Sequence, residues 1–115
     1  MRMTPLAQQQ SLTPDQGLER LAEDQLPGLL SQVSGWEHTP DSHTISKSFK
    51  FENYYQTIAF VNAVAWIAHG EDHHPDLEVG YNRCTAHFTT HAVGGLSLND
   101  FISAAKINAL LHNHS

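Results

Sequence analysis

The chain has 115 residues, 40% of them hydrophobic, which suits one folded domain with a single modest core and excludes a disordered polymer. A formal net charge of −6, from 6 basic and 12 acidic residues, leaves no basic stripe for a phosphate backbone, so nucleic acid is not expected as a direct partner. The single cysteine excludes an intrachain disulfide framework, and no apolar run nears the roughly 20 residues that span a bilayer, so a cytoplasmic protein away from membranes is expected.

In chain order, residues 1–12 carry "QQQ" and no periodicity and read as a flexible N-terminal arm, leaving residues 13–115 as the single domain. Thr13 followed by Pro14 is a helix-start signal, with Leu18, Leu21 and Ala22 at helical spacing beyond it. Pro27 interrupts that pattern. The reading is either two short helices or one beginning near Asp24, with Leu26, Leu29, Leu30 and Val33 inward and Gly35 as the stop. "GWEHTPDSHTISKSFKF" predicts a hairpin in which Trp36 starts the first strand and "TPDS" makes the turn. In its second strand, residues 43–51, Ile45, Phe49 and Phe51 share one face and Thr44, Ser46, Ser48 and Lys50 the other.

Asn53 is a plausible N-cap for the strongest helix, whose inward stripe is read as Ile58, Val61, Ala65 and Ala68 with Val64. Pro75 pushes His74 out of the helical region, so the helix is expected to end at or before His73. "DLEVGYNRCTAHFTTHAV" predicts a second hairpin. Leu77, Val79 and Tyr81 alternate on one arm and Cys84, Ala86 and Phe88 on the other. After Gly94 and Gly95, "SLND" matches a capping box with Ser97 as cap and Asp100 reaching back, opening a last helix. The order α-β-β-α-β-β-α predicts an α+β fold, a four-stranded antiparallel sheet with three helices on one face.

The chemistry concentrates in "AHGEDHHPDLEVGY", residues 68–81. His69 and His73 are four apart and would share a helix face, a spacing that zinc sites use, with His74 and His91 as further ligands. Against a metal, Gly70 loosens the helix between them and "HGEDH" is not H-E-x-x-H. Histidines near a helix C-terminus also complement its dipole with no further role. The third reading is acid–base catalysis, since imidazole titrates near neutrality and adjacent histidines leaving a helix point in different directions. Spacing alone leaves these open.

"HGEDHHPDLEVGYNRCTAHFTTHAVGGLSLND" resembles the pterin-4a-carbinolamine dehydratase family. The family's pattern is an acid or histidine, three residues, His-His-Pro, an aromatic, a histidine ten positions on, and then an aspartate. Here these are His69, His73-His74-Pro75, Tyr81, His91 and Asp100, and the likeness covers roughly residues 24–110. Many members carry glutamate where this chain has His69.

The resemblance implies dehydration of a 4a-hydroxytetrahydropterin to quinonoid dihydropterin, with no metal or redox cofactor. It implies recycling of the pterin used by an aromatic amino acid hydroxylase. It makes His73, His74 and His91 the acid–base groups, with His69 beside them. His74 and His91 would act as acids at the 4a-oxygen and His73 would hold the ring-nitrogen proton. Asp72, Thr89 and Thr90 are candidate substrate contacts, while the capping box explains Asp100 structurally. A homodimer or homotetramer is also implied. Animal members of the family serve as dimerisation cofactors for a homeodomain transcription factor, so a protein-binding coactivator module without essential catalysis is the alternative. His38, His43, His87, His112 and His114 read as surface, Cys84 as core, and Tyr81 and Trp66 as packing residues.

Overall fold

The computed structural model describes residues 4–112; the first three residues of the expected arm and His114 lie outside them. Four strands form one antiparallel sheet: β1 (Glu37–Thr39), β2 (Thr44–Lys50), β3 (Asp76–Val79) and β4 (Arg83–Phe88), in the order β1-β2-β4-β3. Three helices accompany it: α1 (Leu26–Leu30), α2 (Tyr54–Glu71) and α3 (Leu98–His112). This is the expected element order, and the two hairpins are joined through the central β2–β4 pair, where Ser46 faces His87 and Phe49 faces Cys84.

Strand alternation divides the sheet. Ile45, Phe49, Cys84, Ala86 and Phe88 point inward and are buried with Phe60 and Val64 of α2 and Phe101, Ile102 and Ile107 of α3. Each large apolar side chain of this kind contributes roughly 1.5–3 kcal/mol by leaving water. Cys84 is part of the core, and burial pushes its thiol above the ordinary range, away from the reactive thiolate. Lys47 also falls on the inward face of β2. Its stem lies against Gly35 and its ammonium reaches out to the Ser34 carbonyl and Asn108 Oδ1, at 2.9 and 3.0 Å. Gly35 has φ +83, and a Cβ there would sit 2.7 Å from the Lys47 side chain.

Three elements depart from the sequence expectation. Thr13 and Pro14 begin only a single 3-10 turn, Pro14–Gln16, closed by Gly17 at φ +90, and the helix starting near Asp24 is a 3-10 turn running into α1. The inward stripe of α2 is Thr57, Phe60, Val64 and Ala68: Val64 and Ala68 are buried as expected, Thr57 and Phe60 take the places expected of Ile58 and Val61, and Ala65 is exposed. Within residues 4–12, Leu6 is buried in a short turn packed on α3, and the main chain of Ser11 and Leu12 is hydrogen-bonded to Glu71 and Asn99. Residues 1–12 have no helical or strand period because single side chains and main-chain hydrogen bonds, rather than a repeating face, hold the described part.

Candidate active site

Asn53 caps α2 by accepting the Gln56 N–H at 2.8 Å, and the helix runs to Glu71. Its end is a Schellman turn: Asp72 is left-handed (φ 50) and donates to the His69 carbonyl, while the His73 N–H returns to the Ala68 carbonyl at 3.1 Å. This turn drives His73 back toward the sheet. Its imidazole stacks on Phe88, with ring centres 5.5 Å apart and planes inclined by 12°, and its side chain is 11% exposed. Pro75 then commits the chain to β3.

His73 Nε2 lies 2.6 Å from Asp100 Oδ1. Asp100 is fully buried in the first turn of α3, where the helix N-terminus favours a negative charge. The expected capping box is present, since Asp100 Oδ2 accepts the Ser97 N–H at 2.9 Å and Ser97 Oγ accepts the Asn99 N–H at 3.2 Å. The same Oδ2 accepts the Thr90 hydroxyl at 2.8 Å. Thr90 has one proton to give, so Ser97 Oγ donates to Thr90 Oγ1 across 2.8 Å, completing a directed chain from the Asn99 amide through both hydroxyls to the carboxylate. With Asp100 as an accepting carboxylate, the Nε2–H tautomer of His73 completes this set and leaves Nδ1 outside it.

The structure therefore joins His73, Thr90 and Asp100 in one network, and Asp100 has a partner in His73 that its capping role alone does not explain. Asp72, His73, Thr90 and Asn99 line one cleft of about 320 Å³ with residues of the N-terminal segment. His74 and His91 are exposed, each the chain neighbour of a network member, His73 and Thr90 respectively. His69 is exposed on the last turn of α2 and makes no side-chain hydrogen bond among the described residues. Thr89 is directed elsewhere: its hydroxyl donates to the His43 carbonyl at 2.7 Å and borders a separate hollow on the open face of the sheet. Alternation along the strand end sends Thr89 and Thr90 to opposite sides. Among the described residues no three histidine, cysteine or carboxylate side chains gather closely enough to share a metal ion.

One polar array escaped the sequence reading. His87, read as plain surface, holds Ser46 Oγ at Nδ1 and Glu78 Oε2 at Nε2, both at 2.6 Å, and so ties β2, β4 and β3 together on the open face. Its signal lies in the cross-strand register, which one strand's sequence does not carry. Tyr81 and Trp66, read as packing residues, are exposed; Tyr81 stacks on Tyr54.

Comparison with known proteins places this chain. The sequence model of the family described as "Pterin 4 alpha carbinolamine dehydratase" matches residues 19–110. A protein of Nitrosospira multiformis is 53% identical over 105 residues, 91% of each chain. One of Legionella pneumophila is 58% identical over 92 residues, 79% of this chain and 81% of its own. Both bear a provisional designation as pterin-4-alpha-carbinolamine dehydratase. A solved structure from Brucella Melitensis, titled a transcriptional coactivator/pterin dehydratase, superposes with a TM-score of 0.77 at 32% identity, covering 80% of this chain and 98% of that one.

Proposed function

The chain belongs to the pterin-4-alpha-carbinolamine dehydratase family, and from that premise we propose that it is a hydro-lyase converting a 4a-hydroxytetrahydropterin to quinonoid dihydropterin by histidine acid–base catalysis. The step needs a proton delivered to the 4a-oxygen, cleavage of the C4a–O bond with loss of water, and removal of the proton on the adjacent ring nitrogen. No electrons enter or leave, so an acid, a base and orientation suffice. His73 Nδ1 is the base toward the ring nitrogen, its ring held by Asp100 on one edge and Phe88 on one face. His74 and His91, exposed and adjoining His73 and Thr90 in the chain, deliver the proton to the leaving oxygen. Asp72 and Thr90 border the substrate, and His69 stands at the rim as an auxiliary group. In a cell this reaction recycles the pterin of an aromatic amino acid hydroxylase, and the protein works in the cytoplasm as a homo-oligomer.

The observation that carries this reading is the buried His73–Asp100 pair in the wall of a cleft. Replacing His73 with alanine strands a buried carboxylate and endangers the fold, so His73→Gln is the informative variant. Its amide keeps a donor for Asp100 but has no titrating nitrogen. Carbinolamine dehydration by His73→Gln should fall about 10²–10⁴-fold, the usual share of a general acid or base, with an unchanged circular dichroism spectrum. Activity within threefold of wild type would refute the assignment.

A second reading is favoured by the Brucella neighbour's title and by the aromatic side chains exposed on α2, Tyr55 and Trp66. A coactivator-type binding role would use that helix surface and survive His73→Gln.

A further inference from the structure

We propose that residues 11–14 form a substrate-recognition wall of the His73 cleft and set affinity and selectivity for the part of the pterin that does not react. The proposal rests on the reading of that cleft as the dehydratase site. Opposite Asp72, His73, Thr90 and Asn99, the cleft is closed by Ser11, Leu12, Thr13, Pro14 and Leu18. A cleft of about 320 Å³ is at the small end for ligand sites, so each wall meets whatever enters.

The segment is fixed rather than loosely apposed. Asn99 pairs with the Leu12 main chain in both directions, its Oδ1 accepting the Leu12 N–H at 2.9 Å and its Nδ2 donating to the Leu12 carbonyl at 2.8 Å. The Ser11 N–H donates to Glu71 Oε1 at 2.9 Å, and Lys106 Nζ lies 3.3 Å from the other carboxylate oxygen. Burial pushes the Glu71 carboxyl up, but the Ser11 hydrogen bond and the Lys106 ammonium outweigh it and hold it below the ordinary range. Both anchors adjoin the catalytic pair in sequence: Glu71 is two residues before His73, and Asn99 immediately precedes Asp100. The elements that place the acid–base pair therefore also place the wall.

Residues 11–14 precede the 19–110 span that the family model matches. The chemistry of the wall suits the far end of a pterin. Leu12, Pro14 and Leu18 offer apolar surface to a flat ring. Ser11 Oγ is buried beside the Glu71 carboxylate, and the Thr13 hydroxyl can meet a hydroxylated substituent. The reacting edge belongs at His73, across the cleft. What touches residues 11–14 is then the non-reacting edge, and such contacts act equally on ground and transition states, raising affinity without raising kcat.

The test compares two variants of the full chain, Leu12→Ala, which trims a side chain already 40% exposed, and Asn99→Ala, which releases the Leu12 main chain. Each is assayed with a carbinolamine bearing a methyl group and one bearing a dihydroxypropyl group on the ring. Both variants should raise KM about three- to tenfold with kcat held within twofold, as loss of uniform binding requires. The ratio of kcat/KM between the two substrates should shift by at least about threefold, because the wall contacts the substituent on which they differ. Cooperative unfolding transitions establish that both variants are folded. Unchanged KM and an unchanged ratio in both, while His73→Gln is inactive, would overturn the recognition wall and leave the dehydratase site standing. Full activity of His73→Gln would overturn both.

Discussion

A carboxylate with no solvent exposure is tolerated only if its lone pairs are occupied, and Asp100 meets that demand with three donors from three parts of the chain. His73 comes from the end of α2, Thr90 from the exit of β4, and the Ser97 amide from the start of α3. Thr90 is the member whose removal tests whether these bonds act as a unit. Valine matches its shape but cannot donate to Asp100 or accept from Ser97. Thr90→Val should lose roughly 1–3 kcal/mol in denaturant titrations, the cost of leaving buried polar groups unpaired. Dehydratase kcat should fall with it, because Asp100 orients the His73 ring. Stability lost with kcat intact would show that the hydroxyl chain serves the cap alone. Much of this was legible in the sequence: the His-His-Pro exit and the capping box both lie on the line of the chain. The hydrogen bond from His73 to Asp100 was not, since it joins residues 27 apart through a turn whose direction depends on the left-handed Asp72.

At the scale of the element, the end of α2 decides where the His73–Asp100 pair sits. Asp72 occupies the position where helices usually place glycine, and a left-handed side-chain residue costs about 1–2 kcal/mol. Asp72→Gly should keep the Schellman turn and raise stability by about 1 kcal/mol, read as a higher melting temperature. Its effect on catalysis separates the two roles open to this residue. A raised KM with the turn preserved identifies the carboxylate as a substrate contact, whereas unchanged kinetics reduce Asp72 to a helix terminator. The body of the same helix shows why its buried stripe was misread. Alanines and aromatics surround α2 on nearly every side, so several lines of apolar residues satisfy a period of 3.6. Thr57 was passed over as polar, yet it is fully buried because its hydroxyl donates within reach of both the Asn53 and Tyr81 carbonyls, each at 2.9 Å.

The apolarity of α2 on its outer side has a consequence for the whole molecule. Opposite the stripe of Thr57, Phe60, Val64 and Ala68 runs a second line through Tyr55, Ala59 and Trp66, with Tyr55 82% and Trp66 80% exposed. Tyr55, Ala59 and Ala63 also border an apolar hollow of about 500 Å³ whose far side is Leu110 and Leu111 of α3. A helix apolar all round belongs in an interior, and one chain of 115 residues covers only one side of this one. The proposed homo-oligomer supplies the missing cover if a second copy lays its own α2 along this line, a self-complementary contact of the kind that closes a twofold dimer. Such an assembly leaves the His73 cleft free, because the cleft is lined from the end of α2, the start of α3 and residues 11–18. Tyr55→Lys with Trp66→Lys should therefore convert the protein to monomers in sedimentation or light scattering at micromolar concentration. Carbinolamine dehydration should persist within about threefold, since neither side chain touches the His73–Thr90–Asp100 network. A double variant that keeps the wild-type mass would place the self-association surface elsewhere, and monomers without activity would show that the site depends on assembly.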